Sequence, residues 1–392
     1  MTEKNRSENK TADFEDYRKK VKQRKLLVKL IIILILFFGV FVLVLNIDNI
    51  IDSLKGVASK IDSKTSTEVG YPIKLSGSAS YSFESFGENF SLLSDTYLYT
   101  YSLDGGQNYA LKHSYSKPVH CTNSRRILLY DKDYNDFSLY SKTRLIYKNT
   151  LEEKIVFGRL SNRDSAAIVT NSDRYSNIVY IYDGNGEWKY TRKFLNENVM
   201  NVGFSSDDRY IYVVTLGAEN GDIFSSIYKY DTTDESEAVW SYKLIKSVIP
   251  LEIVVKKNRV CVIYDNYAVS INESDGSLQG EKEFQGTVAC LDSSDSMIGL
   301  IYYDSSSNKN ILVSLDYNMK VNASGIVSPN INKVILDRNT IYIIQSGKIT
   351  GFNSEMKAVE EKEISEDCVS FIKIGNSFLL LGYNSINIEN LT

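Results

Sequence analysis

The chain has 392 residues, of which 43% are hydrophobic and 24% charged, so it is too long for one small domain and too apolar to be disordered throughout. Two histidines and four widely spaced cysteines leave little material for histidine-based catalysis, metal sites or a disulfide-rich scaffold. The net charge of −4 is unevenly distributed along the chain. Residues 1–29 hold ten Lys/Arg and five Asp/Glu and are basic, whereas the remainder is acidic. An acidic main portion argues against nucleic-acid binding.

Residues 26–45 form an apolar segment that predicts a transmembrane helix. Eighteen of its twenty residues are Leu, Ile, Val or Phe, and only Lys29 and Gly39 interrupt it. As a helix it would be about 30 Å long, one hydrocarbon thickness of a bilayer. Its apolar core is longer than that of a signal peptide, and no cleavage site follows closely, so we expect an uncleaved anchor.

The charges on either side of the anchor predict its orientation. A basic block at 18–25 precedes the apolar segment, and Asp48 and Asp52 follow it. The positive-inside rule therefore places residues 1–25 in the cytoplasm as a basic tail and exports the rest of the chain across the plasma membrane.

Residues 46–70 are predicted to form an amphipathic stalk and linker. Apolar residues recur there at intervals of three and four, as on one face of a helix: Ile47, Ile50, Ile51, Leu54, Val57, Ala58 and Ile61. The stripe is about two heptads long, short of the three or four that indicate a coiled coil. Packing on the next domain is the favoured role, with self-association as the alternative.

Residues 71–392 have the pattern of an all-β domain. Short β-branched and aromatic runs, such as 97–101 and 178–182, alternate with turns rich in Asp, Asn, Gly and Ser, without a long helical periodicity. The 28 tyrosines suit half-buried strands, where the ring packs at one end and the hydroxyl reaches a partner or water.

Turn signals recur along this domain at a nearly constant interval. They stand at Asp104-Gly105, Asp183-Gly184, Asp231-Thr232, Asp275-Gly276, Asp316-Tyr317 and Asn353-Ser354. The first five are 79, 48, 44 and 41 residues apart, and a turn at 141–143 divides the longest interval. A period near 40–44 residues is typical of the four-stranded blade of a β-propeller.

The four prolines, which central strands exclude, fit the same period. Pro72, Pro118, Pro250 and Pro329 are 46, 132 and 79 residues apart, near one, three and two units, and we expect all four between blades.

This period predicts eight blades, with seven as the alternative. The units are 79–117, 118–152, 153–197, 198–247, 248–285, 286–328, 329–365 and a partial last unit at 368–392. The strand at 71–77 is predicted to complete the last unit, which would close the ring without an open sheet edge.

Several segments resemble known propeller repeats. Residues 255–276 resemble the two-hairpin repeat of quinoprotein-like propellers built from PQQ-repeat-like units. Residues 183–190 and 238–242 resemble its tryptophan-bearing outer strand, and 204–212 are similar to the inner hairpin of WD40-like propellers. The whole arrangement resembles a family of single-pass membrane proteins of Gram-positive bacteria with propeller ectodomains.

The quinoprotein resemblance implies a quinone held between a stacking tryptophan and a disulfide of adjacent cysteines, with a metal nearby. No two cysteines are adjacent here. Trp188 and Trp240 stand where the outer-strand tryptophan packs neighbouring blades, so we expect them to be structural. The sequence accordingly predicts no cofactor, no metal and no catalytic residue, and it does not identify the binding residues.

Two further motifs favour ordinary turns. Asp183 and Trp188 have the spacing of the aspartate box of sialidase-like propellers, but that box requires Gly at Asn185 and Ser or Thr at Ile181. Residues 131–136 resemble the first half of a calcium loop, whereas its second half lacks the glycine and the glutamate. We therefore predict hairpin turns at both places.

The cysteines and histidines are predicted to be structural. Cys121, Cys261, Cys290 and Cys368 lie in or beside apolar runs, where a free cysteine behaves as a small hydrophobe. Cys261 and Cys290 fall in consecutive blades and are the best-placed pair if a disulfide forms.

His113 and His120 flank Pro118 without a nucleophile motif around them. We expect them to be structural or exposed.

The function that these features favour is a non-catalytic, membrane-anchored extracytoplasmic propeller that binds a protein or a cell-envelope polymer. An exported hydrolase or quinone-dependent oxidoreductase, with its site in the central funnel, is the first alternative. A ligand sensor coupled to the basic tail is the second. Buried acids in the funnel would favour an enzyme, and an exposed apolar rim would favour the binding module.

Overall fold

The computed structural model describes residues 70–75, 81–234, 237–329, 331, 333–365 and 367–390. They belong to one compact unit, Ser66–Thr392, and within them only strands and turns occur. No helix in this part of the chain is long and apolar enough to cross a membrane. The predicted basic tail, membrane helix and stalk lie outside the described residues, apart from Gly70.

The described residues form 32 strands in eight four-stranded antiparallel sheets. Blade 1 contains β2 (Ser82–Phe86), β3 (Asn89–Leu93), β4 (Tyr97–Ser102) and β5 (Gln107–Lys112). Blade 2 contains β6 (Pro118–Thr122), β7 (Ile127–Asp131), β8 (Asp136–Tyr140) and β9 (Leu145–Thr150). Blade 3 contains β10 (Ile155–Leu160), β11 (Ala166–Thr170), β12 (Asn177–Tyr182) and β13 (Trp188–Phe194). Blade 4 contains β14 (Asn198–Phe204), β15 (Tyr210–Glu219), β16 (Asp222–Asp231) and β17 (Trp240–Leu244).

The remaining blades repeat this arrangement. Blade 5 contains β18 (Pro250–Lys256), β19 (Arg259–Tyr264), β20 (Tyr267–Asn272) and β21 (Leu278–Glu283). Blade 6 contains β22 (Gly286–Ser293), β23 (Ile298–Asp304), β24 (Lys309–Leu315) and β25 (Val321–Val327). Blade 7 contains β26 (Val334–Asp337), β27 (Thr340–Gln345), β28 (Lys348–Phe352) and β29 (Ala358–Glu363). Blade 8 contains β30 (Ser370–Ile374), β31 (Ser377–Leu381), β32 (Ser385–Asn390) and, from the start of the domain, β1 (Ile73–Lys74).

The last blade is closed by the start of the domain, as the sequence predicts. In the β1–β32 ladder Ile73 lies opposite Ile386 and Lys74 opposite Ser385, and the amide of Leu75 donates to the carbonyl of Asn384 at 2.9 Å. The prediction of eight blades is thereby confirmed, and the alternative of seven is wrong.

Strand direction gives the propeller two faces. We call the four strands of each blade A to D from the inside outwards, since the first strand of most blades contacts the first strand of a neighbour. In blade 8 strand D is β1. Because neighbouring strands are antiparallel, the A–B and C–D connections lie on one face, the AB/CD face. The B–C connections and the links from strand D to the next strand A lie on the other, the DA/BC face.

The predicted turn signals occupy one structural position, the C–D connection. In blade 3, Oδ1 of Asp183 accepts the amides of Asn185 at 2.9 Å and Glu187 at 3.0 Å. Asp316 in blade 6 and Asn353 in blade 7 accept the amides two and four residues later in the same way. A short Asp or Asn side chain thus stabilises each of these turns by accepting backbone amides. Because such residues recur at the C–D connections, the blade period can be recognised in the sequence.

The hydrophobic core lies between neighbouring blades. Tyr212 and Ile227 of blade 4 pack with Val262 and Tyr264 of blade 5, and all four are almost fully buried. Each blade therefore buries apolar surface only by stacking on its neighbours, so the stability of the array depends on closure of the ring.

The prolines follow the prediction in three of four places. Pro118 and Pro250 each begin a strand A, and Pro329 lies in the link between blades 6 and 7. Pro72 is a correction, because it precedes the outer strand of blade 8 and so lies inside a blade. The closing strand was predicted at 71–77 but consists of Ile73–Lys74, so Pro72 immediately precedes it on the AB/CD side of blade 8.

Candidate functional site

The chain enters the propeller on the AB/CD face. Gly70 and Tyr71 precede β1, which runs from this face to the other. The hydroxyl of Tyr71 donates to the carbonyl of Leu103 in the C–D connection of blade 1 at 2.9 Å. The DA/BC face is therefore the one opposite the point of entry.

Exposed apolar side chains are concentrated on the DA/BC face. Among the described residues, fifteen large apolar or aromatic side chains are exposed. Ten of them lie within two residues of a B–C connection or a D–A link: Tyr134, Leu195, Ile223, Ile245, Ile249, Leu251, Tyr303, Ile326, Val369 and Tyr383. Exposed apolar groups collected on one face are typical of a docking surface.

Half of these ten residues flank blade 4. Leu195 lies in the link from blade 3 to blade 4, Ile245 and Ile249 in the link from blade 4 to blade 5, and Leu251 near the start of β18. Ile223 lies near the tip of the B–C hairpin of blade 4. We call these five residues the apolar surface. Among the five residues Ile245 has the largest exposed fraction, 70%.

The B–C hairpin of blade 4 projects beyond its own sheet. The β14–β15 ladder ends at Leu216, and the β16–β17 ladder begins at Ser225, so residues 217–224 pair only with one another. Neighbouring side chains support this two-stranded extension. Lys243 Nζ lies 2.8 Å from a carboxylate oxygen of Glu219 and 3.8 Å from the ring centre of Phe224.

Gly217 is needed for this packing. A Cβ atom at this position would lie 2.5 Å from the ring of Phe224, closer than real contacts allow. The hairpin is therefore a built projection beside the apolar surface, and no pattern of alternation distinguished it in the sequence.

A second candidate site is the central channel, which the A strands enclose. A cavity of about 470 Å³ is lined by A-strand residues of blades 1, 2, 6, 7 and 8, which can meet only across the ring axis. Two further cavities, of about 520 and 480 Å³, are lined mainly by A strands of blades 3 to 6.

Two half-buried carboxyl groups and a lysine face this channel. Burial raises the pKa of Glu84, against the effect of the Thr122 hydroxyl, which donates to it at 3.2 Å, and of the positive charge of Lys333. Burial also raises the pKa of Asp292, although the backbone amides of Leu336 and Ser293 each donate to it at 2.7 Å. Burial lowers the pKa of Lys333, against the charges of Glu84 and Asp292.

Opposite lies a second polar network in the channel. Arg159 Nε donates to the side-chain oxygen of Asn201 at 3.0 Å, and its guanidinium lies 3.6 Å from the carboxylate of Glu252. Asn201 Nδ2 also donates to Glu252 at 3.2 Å. This network joins the A strands of blades 3, 4 and 5, so it has a structural use.

The two tryptophans have different environments. Trp240 is 8% exposed, its indole N–H donates to the carbonyl of Glu273 at 3.0 Å, and its ring packs on Gly276 of the next blade. The expected interblade packing is thus confirmed for Trp240. For Trp188 it is wrong, because this ring is 55% exposed and its N–H bonds to Thr191 of its own strand at 2.8 Å.

The register of strand D determines which aromatic ring packs between blades: Trp240 lies opposite Lys229, and Tyr147 lies opposite Leu139 at the same position in blade 2. Gly276 has a φ of +75° and stands against Trp240, and Gly186 has a φ of +86° and stands against Tyr147 of blade 2. In blade 3 this position is occupied by Tyr190, which lies opposite Ile181, is 1% exposed and packs with residues of blade 4. Trp188 lies two residues earlier in the chain, so the interblade ring of blade 3 is a tyrosine, which the prediction from tryptophan did not identify.

The histidines and cysteines contribute no reactive centre to either site. His120 is 3% exposed, its Nε2 lies 2.9 Å from Oγ of Ser91, and burial lowers its pKa to about 4. His113 Nε2 lies 3.2 Å from the carbonyl of Ser94.

All four cysteines are free, so the candidate pair Cys261 and Cys290 is not a disulfide. Burial raises the pKa of the Cys261 thiol to about 12 and that of Cys290, in the channel wall, to about 11. Thiols held protonated in this way are poor nucleophiles and poor metal ligands.

The segment that resembles a calcium loop is a B–C turn in blade 2. Asp131 accepts the backbone amides of Ser116 and Lys117, and Asp133 pairs with the ammonium of Lys117 at 2.6 Å. Asp136 accepts the hydroxyl of Thr150. The prediction of a hairpin turn is confirmed here, although Asp131 is buried.

A family described as "Family of unknown function (DUF5711)" matches residues 60–391. The chain belongs to this family. No curated protein matches the sequence. The match covers the whole propeller and begins before the first described strand.

Solved structures similar to this DUF5711 chain are propellers. Sqt1 from Saccharomyces cerevisiae is 11% identical, with a TM-score of 0.62 over 84% of this chain and 100% of that chain. The C-terminal WD40 domain of Sif2 is 11% identical, with a TM-score of 0.58 over 82% and 97%. BamB from Moraxella catarrhalis is 11% identical, with a TM-score of 0.53 over 82% and 96%. At this identity the likeness supports the WD40-like propeller fold alone.

Proposed function

We propose that the protein is a membrane-anchored, extracytoplasmic binding module that holds a protein partner on its DA/BC face. The anchor in this proposal is the helix predicted at 26–45, with residues 1–25 in the cytoplasm. The observation that carries the proposal is the concentration of exposed apolar side chains on the DA/BC face.

The form of the apolar surface supports a protein partner. One of its members, Ile223, lies on the projecting hairpin, and the other four lie in or beside the links on either side of blade 4, so exposed apolar side chains and a projection occur in the same part of the face. The chain enters on the opposite face, at Tyr71, which leaves the DA/BC face unobstructed by the tether within the described residues.

The module in this proposal is non-catalytic. Both histidines and the four cysteines are held in protonation states or contacts that suit packing. Among the described residues no group of three His, Cys, Asp or Glu side chains is placed to hold a metal ion. Rigid blades with variable connections are well suited to binding.

Site-specific photocrosslinking in living cells tests the proposal. A photoreactive amino acid at Ile245 should give one dominant adduct with a protein, whereas the same probe at Leu278, 43% exposed on the AB/CD face, should not. An Ile249→Glu substitution should then remove the adduct at Ile245. Equal crosslinking from both faces, or an adduct that survives Ile249→Glu, would contradict the proposal.

The channel supports an exported hydrolase as a second candidate. The observation that favours it is the pair of channel carboxyls, Glu84 and Asp292, whose raised pKa is a feature of catalytic acids. Asp292 is already bonded to two backbone amides, which reduces its freedom to act. If the protein hydrolyses ester or glycoside substrates, Glu84→Gln should abolish the hydrolysis in a protein that still folds. Hydrolysis that survives this substitution would exclude the channel as the catalytic site.

A further inference from the structure

Blade 3 carries a surface cavity that the proposed function does not use. It has a volume of about 730 Å³ and lies on the DA/BC face, between the link at 151–154 and the B–C loop at 171–176. This volume is within the range of roughly 300–1,000 Å³ for small-ligand sites. We call it the blade 3 cavity.

The walls of the blade 3 cavity are fixed by backbone contacts. The amide of Asn171 donates to the carbonyl of Lys154 at 2.9 Å, and the amide of Ser176 donates to the carbonyl of Phe194 at 2.8 Å. The B–C loop is thus tied to the neighbouring links at both of its ends. At the cavity wall the hydroxyl of Tyr180 donates to the carboxylate of Glu153 at 3.0 Å. A site with walls held in this way is organised before a ligand arrives.

Two half-buried tyrosines supply flat rings to the cavity. Tyr175 is in the loop, and Tyr180 is on β12. Lys193 Nζ lies over one face of the Tyr175 ring, 5.3 Å from its centre, so an N–H donor and an aromatic ring are available together at this wall of the cavity. A ring with polar groups at its edge can stack on the apolar side of a ligand and bond the ligand's hydroxyls at the same time.

The charges of the lining balance. Glu152, Glu153 and Asp173 provide three carboxylates, and Lys154, Arg174 and Lys193 provide three cations. Such a lining does not select a polyanion, because each additional negative charge on a ligand would meet carboxylates as well as cations. It also does not suit an apolar ligand, because those polar groups would lose their water without a replacement.

We infer that the blade 3 cavity binds a neutral saccharide chain, with Tyr175 stacking on a sugar ring and the balanced carboxylates and cations bonding its hydroxyls. Carboxylates accept from sugar hydroxyls and ammonium or guanidinium groups donate to them, so both halves of the lining are used. The site shares no lining residue with the apolar surface, although Ser176 Oγ of its B–C loop donates to the carbonyl of Leu195 at 3.0 Å. The inference does not depend on the protein partner proposed above.

Titration calorimetry with the full-length protein in detergent tests this inference. The probes are the tetramer of β-1,4-linked N-acetylglucosamine, maltotetraose and, as the anionic comparison, poly(glycerol phosphate). At least one neutral tetramer should bind at millimolar concentration. Tyr175→Ala should weaken this binding by about tenfold, the size expected for one lost stacked ring, while Tyr175→Phe should retain it.

The matched control is Tyr383→Ala, a substitution of a 73% exposed tyrosine on the same face in blade 8, which should leave binding unchanged. Failure of both neutral tetramers to bind a folded protein would overturn the inference. Tighter binding of poly(glycerol phosphate) through the same tyrosine would overturn the neutral class of ligand. Equal losses from Tyr175→Ala and Tyr383→Ala would overturn the site.

Discussion

The burial of an aromatic residue in strand D depends on its register. Trp240 packs on Gly276 across a blade boundary, whereas Trp188 is 55% exposed and its indole N–H bonds to Thr191 of its own strand. The position that Trp240 has in blade 4 is occupied in blade 3 by the buried Tyr190, two residues after Trp188.

The two tryptophans give a matched prediction. Trp240→Ala should lower the free energy of unfolding by roughly 3–5 kcal/mol, because it removes a large buried ring and leaves a cavity between blades 4 and 5. Trp188→Ala should change it by less than about 1 kcal/mol, because that ring is exposed. Chemical denaturation of both variants checks this, and equal losses would contradict the packing described here.

His120 predicts a dependence of stability on pH. Burial lowers its folded-state pKa to about 4, below its value of about 6.5 in an unfolded chain. The unfolded state therefore binds more protons between these pH values. The contribution of His120 is complete above about pH 6.5, falls by about 3 kcal/mol as the pH drops towards 4, and then levels off.

Comparison with His120→Gln isolates this contribution from that of the carboxylates. The free energy of unfolding of the wild type should fall more steeply between pH 6.5 and 4 than that of the variant, as measured by urea denaturation at each pH. Parallel slopes for the two proteins would show that His120 does not titrate as its burial requires.

At the level of strands and turns, closure rests on a very short element. β1 has two residues, and of these Ile73 is buried among residues of blades 8 and 1 while Lys74 is exposed. Ile73→Ala should therefore lower the free energy of unfolding by about 2–5 kcal/mol, and Lys74→Ala should have almost no effect. Differential scanning calorimetry of the full chain measures both, and an unchanged midpoint for Ile73→Ala would refute closure by β1.

The same turns explain how much of the fold the sequence predicts. Asp183, Asp316 and Asn353 each accept backbone amides within their own turn, so blade period and blade boundaries follow from local chemistry. The channel residues Glu84 and Asp292 carry no such local signal. They come together only because the ring closes, through contacts between residues far apart in the chain.

The projecting hairpin of blade 4 is predictable from the sequence only in part, unlike the C–D turns and unlike the channel residues. The run from 210 to 214 is predicted as a strand from the sequence, but the continuation of β15 to 219 and the overhang of the hairpin are seen only in the structure, where β14 and β17 end earlier. β14 and β17 are not part of the hairpin, so the hairpin's own residues do not mark where its overhang begins. The sequence pattern therefore does not predict the apolar surface, because each of its members is a Leu or Ile with no distinguishing sequence signal.

At the level of the whole molecule, we propose a predicted basic tail in the cytoplasm, a predicted membrane anchor and an exported propeller that binds a partner on its DA/BC face. Each blade stacks only on its neighbours, which makes the ring a rigid platform and leaves its connections free to vary. Binding on the DA/BC face then needs no movement within the blades. Two predictions are thus combined, export of the propeller across the membrane and binding of a partner on its DA/BC face.

Labelling of intact cells with a membrane-impermeant maleimide tests this combination most directly. Cysteine introduced as Leu278→Cys on the AB/CD face should be labelled on intact cells if the propeller is exported as proposed. Ile245→Cys should be labelled in the purified protein but protected on cells if the proposed partner covers it. The unsubstituted chain should label weakly, since burial raises the pKa of its own thiols. Absence of labelling at Leu278→Cys until cells are opened would contradict export, and equal labelling of both positions on intact cells would contradict binding at the DA/BC face.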